Sequence, residues 1–85
     1  MIFEIKWDES ALKDLYKLDN QISSRIYKKV GELKDGFQSK DIKRLKGDPR
    51  LRLRVGDYRV LFSVADKLIT IWKIGHRKNI YKYSE

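Results

Sequence analysis

Hydrophobic residues along this chain change their spacing twice. Phe3, Ile5 and Trp7 alternate with Glu4 and Lys6, the period-two pattern of a strand with one buried face. From Ala11 the spacing lengthens, and Ala11, Leu12, Leu15 and Leu18 make one stripe of a short helix whose Lys13, Asp14 and Lys17 meet water. Asp8 is placed to cap that helix, and Trp7 just before it is placed to pack on Leu12 as a hydrophobic staple. Leu18-Asp19-Asn20 interrupts the stripe with capping and turn residues. Ile22, Ile26, Val30, Leu33 and Phe37 then recur at helical spacing, which predicts a second, longer helix with Gly36 at its C-cap and Phe37 folding back. Only a few residues join the two helices, so they are expected to form an antiparallel hairpin.

From Gln38 to Pro49 the periodicity lapses. Lys40, Lys43, Arg44 and Lys46 surround Ile42 and Leu45, which reads as a basic connecting segment with one or two apolar anchors, closed by a turn at Gly47-Asp48-Pro49. Strict alternation returns at once. In a strand, Leu51, Leu53 and Val55 share one face while Arg50, Arg52 and Arg54 share the other. Gly56-Asp57 supplies turn chemistry, after which Tyr58, Val60, Phe62 and Val64 continue the apolar face and Arg59 joins the arginines. Ala65-Asp66-Lys67 is a second turn. Residues 68–74 are apolar on both faces, as a central strand covered twice would be, and a basic aromatic tail follows.

These elements predict one α+β domain over residues 1–85: a two-helix antiparallel hairpin packed on one face of a small, mostly antiparallel sheet, in the order β-α-α-β-β-β. Its expected core is Phe3, Ile5, Leu12, Leu15, Ile22, Ile26, Leu33, Leu53, Val60, Phe62 and Ile71. A chain of 85 residues buries only about 60% of the surface its unfolded form exposes, so it needs an efficient core or a partner. It has no cysteine, hence no disulfide staple and no thiolate metal site. The charges inside the first apolar run are wrong for a signal peptide, and no run approaches the ~20 apolar residues of a membrane span. A cytoplasmic protein without membrane contact is the expectation.

Charge sharpens the picture. The net charge is +8, and it all comes from the second half: residues 1–41 carry 8 basic and 8 acidic side chains, residues 42–85 carry 12 and 4. The outward positions of the arginine hairpin include no aspartate or glutamate. An uncompensated like-charged face costs folding energy, and a planar, permanently charged fork suits phosphate. A polyanion, nucleic acid first and an acidic protein second, is the expected partner. Other chemistry is sparse. His76 is the sole histidine, which excludes a Ser-His-Asp set and leaves structure as its favoured role. Asp48, Asp57 and Asp66 each sit in a turn, so neither a carboxylate metal site nor any cofactor is expected. Tyr81 and Tyr83 lie among Arg77, Lys78 and Lys82, in a tail whose rings either pack on the sheet or stack on bases beside phosphate-holding cations.

Taken together, Leu45-Lys46-Gly47, the basic strand ending in Arg54, Gly56-Asp57-Tyr58-Arg59-Val60-Leu61-Phe62, Ile74-Gly75-His76-Arg77 and Ile80-Tyr81 resemble the RelE toxin family, within the RelE/ParE superfamily of type II toxin–antitoxin modules. The stretch Trp7 to Leu15 resembles the family's first helix. The Gly-x-Tyr-Arg-Val motif is common to the superfamily and points to fold more firmly than to activity. The resemblance implies a metal-independent endoribonuclease that cuts mRNA in the ribosomal A site, and a RelB-like antitoxin that wraps the toxin in a hetero-oligomer. By position it implies Arg52, Arg59, Arg77 and Tyr81 as catalytic residues, with Arg50, Arg54, Lys43, Lys46, Lys78 and Tyr83 holding RNA. Arg50 and Arg52 stand where the best-known enzymes have lysines, which leaves proton transfer to Tyr81 as base with Arg77 or Arg59 assisting the leaving oxygen, and Lys43 or Lys46 able to restore a lysine. Two alternatives share parts of the pattern: a ParE-like toxin that binds DNA gyrase without cutting RNA, and a non-catalytic RNA-binding domain.

Overall fold

The computed structural model describes residues 2–80. Strand β1 (Glu4–Trp7) leads into helices α1 (Glu9–Tyr16) and α2 (Asn20–Gly31), and a turn of 3₁₀ helix (Glu32–Asp35) extends α2. Four strands follow: β2 (Ile42–Arg44), β3 (Leu51–Val55), β4 (Tyr58–Ala65) and β5 (Leu68–His76). The sheet order is β1-β5-β4-β3-β2, antiparallel throughout except for the parallel pair β1–β5. The meander β2 to β5 thus returns the chain to its first strand. The α+β class and the helical hairpin on one face are as expected; the fifth strand is new. Residues 42–44, expected to be part of a connecting segment, form an edge strand that pairs Ile42 with Leu53 and Lys43 with Arg52. Three residues with one apolar side chain carry no period to detect.

Local chemistry sets the helix ends. The Asp8 carboxylate accepts from Ser10 N–H at 3.2 Å and that of Asp19 accepts from Gln21 N–H at 2.8 Å, capping α1 and α2. Gly36, at φ 130°, ends the 3₁₀ turn in a conformation that side chains rarely adopt. Phe37 then folds back onto Phe3 and Phe62, at centroid distances of 4.8 and 6.0 Å. Trp7, expected as a staple on Leu12, stacks its ring on Tyr27 at 5.8 Å. Ala11 and Leu15, not Leu12, are the residues of α1 buried in the core.

That core lies between the helices and one sheet face. Ile26, Val30, Leu33, Leu53, Val55, Val60, Phe62, Ile69, Ile71 and Ile74 are buried in it, with Phe3, Ile5 and Ile22 packed at its margin. No charged or polar residue is buried among the described residues.

Strand β5 carries an irregularity that shapes both faces. Its pairing with β4 steps from Leu61–Lys73 to Phe62–Ile71, so Trp72 is the extra residue of a bulge. The Trp72 indole N–H donates to Ser63 Oγ at 2.8 Å. Beyond Trp7, β1 no longer covers the edge of β5, and α1 takes its place. Ser10 Oγ donates to the Trp72 carbonyl at 2.9 Å, and Ile74 N–H donates to the Asp14 carboxylate at 3.0 Å. Two helical side chains therefore satisfy backbone groups that a strand would otherwise pair. Leu68 and Trp72 stay more than a third exposed, so the second apolar face expected for this strand is only partly covered by the described residues. Among the described residues, no helix is long and apolar enough to cross a membrane.

Candidate nucleic-acid interface

The pleat divides the arginine hairpin as its alternation dictates. Leu51, Leu53, Val55, Tyr58, Val60, Phe62 and Val64 belong to or pack on the helix-side core, so Arg52, Arg59 and Leu61 project from the open face. The hairpin closes through the two-residue loop Gly56-Asp57, where Gly56 adopts φ 57°, the left-handed backbone that primed hairpin turns place at their first position. Register then builds rows across the open face. One row runs Lys43, Arg52, Leu61 and Lys73 over β2, β3, β4 and β5; the next runs Arg54, Arg59 and Gly75 over β3, β4 and β5. Directly opposed side chains of an antiparallel pair have Cβ atoms about 4.5–5.5 Å apart, so Lys43 stands beside Arg52. Of the two lysines considered for proton transfer, the fold brings Lys43 into this row. Lys46 is exposed in the turn preceding β3.

Two apolar residues floor the face. Leu61 and Ile80 are fully buried, and neither belongs to the helix-side core cluster. Ile80 reaches the open face because the chain reverses after β5. Asn79 N–H donates to the His76 carbonyl at 2.8 Å, closing the turn. The side chain of Ile80 then seats on Gly75, where a Cβ would come within 2.9 Å of Ile80 Cδ1. Gly75 is thus the opening through which the tail packs back on the sheet. The core expected from the sequence includes neither Leu61 nor Ile80. The pattern signal for Leu61 was an apolar residue on the arginine side of an otherwise alternating strand.

Arginine partners redraw the charge. The strand was expected to carry an uncompensated face, but acids from the segment before it neutralise two of its members. Arg50 forms a bidentate pair with Asp48, at 3.1 Å from Nε and 2.6 Å from Nη2. That bond holds the Asp48 carboxyl below the usual carboxylate range and raises Arg50. Arg54 reaches the sheet edge, where Nε and Nη2 contact Asp41 at 3.1 and 2.8 Å. Lys29 of α2 approaches the same carboxylate at 3.4 Å. Asp41 is lowered, first by the Arg54 hydrogen bond, against a desolvation that opposes it. Asp48 was read only as a turn residue, and Asp41 was not singled out. Their role depends on which guanidinium lies next to them in space.

Arg59 is held differently. Its Nη1 donates to the carbonyls of Gly56 and Tyr58 at 2.8 and 2.9 Å, and no acid among the described residues contacts it. Its Nε is buried without an acceptor among the described residues. Arg77 lies at the same end of the sheet: its N–H donates to the Asp57 carbonyl at 2.8 Å, and its exposed guanidinium is 3.7 Å from the Asp57 carboxylate. Lys78 is exposed in the closing turn, where its N–H donates to His76 Nδ1 at 3.2 Å. His76 also meets Tyr58 edge-on at 5.5 Å, a structural setting. Tyr81 and Tyr83 lie outside the described residues. Among the described residues, no three metal-ligating side chains converge.

The family described as ParE toxin of type II toxin–antitoxin system, parDE, matches residues 5–81. The mRNA interferase toxin RelE of Escherichia coli K12 is 28% identical over 90 residues, spanning 100% of this chain and 94% of the relative. Among solved structures, the RelB-RelE antitoxin-toxin complex from Methanococcus jannaschii matches with a TM-score of 0.76 and 31% identity, over 93% of this chain and 98% of that one. A mutant of E. coli RelE in the free state matches with a TM-score of 0.77 and 27% identity, over 100% and 94%.

Proposed function

The chain belongs to the RelE/ParE family of type II toxin–antitoxin toxins, and from that premise we propose that it is a ribosome-dependent endoribonuclease that cuts mRNA in the A site and so inhibits translation. The observation that carries this reading is the open sheet face, where Lys43, Arg52 and Arg59 lie in adjacent rows over Leu61 and Ile80. A relative similar over its whole length is an mRNA interferase.

In the proposed reaction the RNA 2′-hydroxyl attacks the adjacent phosphate. The new 2′-O–P bond forms as the P–O5′ bond breaks, leaving a 2′,3′-cyclic phosphate and a free 5′-hydroxyl. Arg52, Arg59 and Arg77 stabilise the charge that grows on the phosphorus oxygens, an effect worth about 2.7–4 kcal/mol per well-placed donor. Among the described residues the Arg59 guanidinium is held by backbone carbonyls and not by an acid, so binding a phosphate there breaks no ion pair. Tyr81 is assigned as the base. It is bonded directly to Ile80, which is anchored on the same face. A guanidinium is a poor proton donor because its pKa exceeds ~12, and Lys43 beside Arg52 is a tunable one. Arg50 and Arg54, engaged by Asp48 and Asp41, serve the RNA backbone rather than the reacting phosphate, together with Lys46, Lys78 and Tyr83. Positioning by the ribosome supplies ~7 kcal/mol or more, which suits a site of few catalytic groups.

An antitoxin completes the proposal. The M. jannaschii relative was solved as an antitoxin–toxin complex. For this chain we infer a RelB-like antitoxin whose acids meet the cationic face and whose apolar side chains cover Leu68 and Trp72, in a hetero-oligomer within the cytoplasm. The family description names ParE, and a gyrase-directed toxin is therefore the second reading; it gives no task to the cationic rows. Primer extension on one mRNA, with and without translating ribosomes, separates the two. Cuts at codon positions only with ribosomes, abolished in an Arg59→Ala, Arg77→Ala protein, are expected. No cuts in either condition, with inhibition of gyrase supercoiling, would replace this reading with the second.

A further inference from the structure

We propose that a second phosphate-binding notch, formed by Arg25, Lys29 and Arg54 beside Gly56, lies around the sheet edge from the cationic face and holds a backbone phosphate of the RNA on which the protein docks. The inference deepens the reading above and rests on it.

The notch is a polar cavity of about 280 Å³ lined by Arg25, Lys29, Asp41, Arg54, Val55 and Gly56. Three cations face one carboxylate. Asp41 binds Arg54 at 2.8 Å and Lys29 at 3.4 Å, so two positive charges remain uncompensated in a small volume. Like charges gathered this way destabilise the fold, and an anion relieves them. Arg25 is the cation left over: its side chain makes no hydrogen bond or ion pair among the described residues. Its guanidinium lies against the hairpin turn, with Nη1 3.4 Å from where a Cβ on Gly56 would sit. The glycine makes the turn, and the guanidinium packs against it. Asp41 preorganises the other wall, because its bonds to Arg54 and Lys29 tie β3 to α2.

Chemistry and place both select a phosphate. Guanidinium forks present parallel N–H donors matched to its oxygens. Arg54 is the ladder partner of Arg59, with Cα atoms about 4.5–5.5 Å apart in such a pair. The notch therefore adjoins the cationic face across one rung of the sheet. An RNA strand crossing that face over the hairpin brings a further phosphate to Arg25.

The test is equilibrium binding of the full chain to a fluorescent 2′-O-methyl oligoribonucleotide, which resists cleavage, over a range of KCl concentrations. Arg25→Gln is compared with Lys67→Gln, which removes the same charge from the loop at the opposite end of β4, roughly 26 Å away at strand rise. One lost contact to single-stranded RNA lowers the slope of log K against log salt by about 0.7 and weakens binding about four-fold near 0.15 M salt. Arg25→Gln is expected to do both, Arg25→Lys to retain most of the slope, and Lys67→Gln to leave the slope unchanged. A wild-type slope in Arg25→Gln, an equal loss in Lys67→Gln, or no salt-dependent binding by the wild type would each overturn the notch. The two proposals fail separately. An Arg25-dependent slope in a protein that cuts nothing on ribosomes keeps the notch and removes the nuclease; cutting with a slope indifferent to Arg25 does the reverse.

Discussion

The two faces of this sheet are built from the same strands and obey opposite rules. On the helix side, β3 and β4 contribute Leu53, Val60 and Phe62 to a core without a buried charge among the described residues. On the open side the same two strands contribute Arg52, Arg54 and Arg59, and among the described residues only Leu61 and Ile80 are fully buried away from the helix-side core. The pleat makes this possible, since neighbouring residues in a strand point to opposite sides. The difference teaches that stability and recognition are separated here by one residue of sequence. A register slip by one would exchange them wholesale.

Truncating Phe62, fully buried and 6.0 Å from the Phe37 ring, tests the helix side. Phe62→Ala is expected to cost about 3–5 kcal/mol, a large share of the stability of so short a chain. Urea denaturation reads it, and a midpoint unmoved by the change breaks the assignment of this face as the core. Arg59→Ala tests the other face. It is expected to reduce ribosome-dependent cleavage by about 10²–10³, while its two carbonyl hydrogen bonds contribute only about 0.5–1.5 kcal/mol each to folding. If the urea midpoint falls as far as in Phe62→Ala, the faces are not separable as described.

A variant at Gly75 probes the join between the faces. Gly75→Ala places a Cβ within 2.9 Å of Ile80 Cδ1, and shifting that buried side chain is expected to cost about 1–3 kcal/mol. Cleavage should fall by more than this loss of stability accounts for, because Ile80 anchors the segment leading to Tyr81. Unchanged kinetics in Gly75→Ala would detach Ile80 from the site.

The smallest expected effect concerns pH. Asp41 and Asp48 both have folded values below the ordinary carboxylate value, through their bonds to Arg54 and Arg50 respectively. Depressed carboxylates contribute stability that is present above their unfolded pKa, near 3.9, and is lost as pH falls through the lower folded value. Acid denaturation should therefore steepen below about pH 4, and an Asp41→Asn, Asp48→Asn protein should lose part of that steepness. A profile identical to wild type would mean that the two clamps contribute nothing to folding.

Much of this was legible in the chain, and the limits have a common cause. Alternation in residues 50–64 separates the faces, and the capping residues Asp8, Asp19 and Gly36 mark helix ends, because each signal acts within a few residues. Leu12 was misplaced because Ala11 and Leu12 are neighbours on one helical stripe, and only the sheet beneath decides which turns inward. Strand β2 was missed because its three residues hold one apolar side chain and so show no period. The arginine face was read as uncompensated because Asp41 and Asp48 are off the strand.

By itself, then, the sequence determined the faces of each element, the hairpin turns, the basic excess of the second half and the candidate arginines, since these depend on backbone period and side-chain charge alone. The tertiary structure decided which arginines are clamped by acids, how α1 completes the edge of β5, that Ile80 packs against Gly75, and that Lys43 rather than Lys46 stands beside Arg52. Those outcomes depend on distances between residues far apart in the chain, and such distances exist only once the meander has closed and the helices have packed.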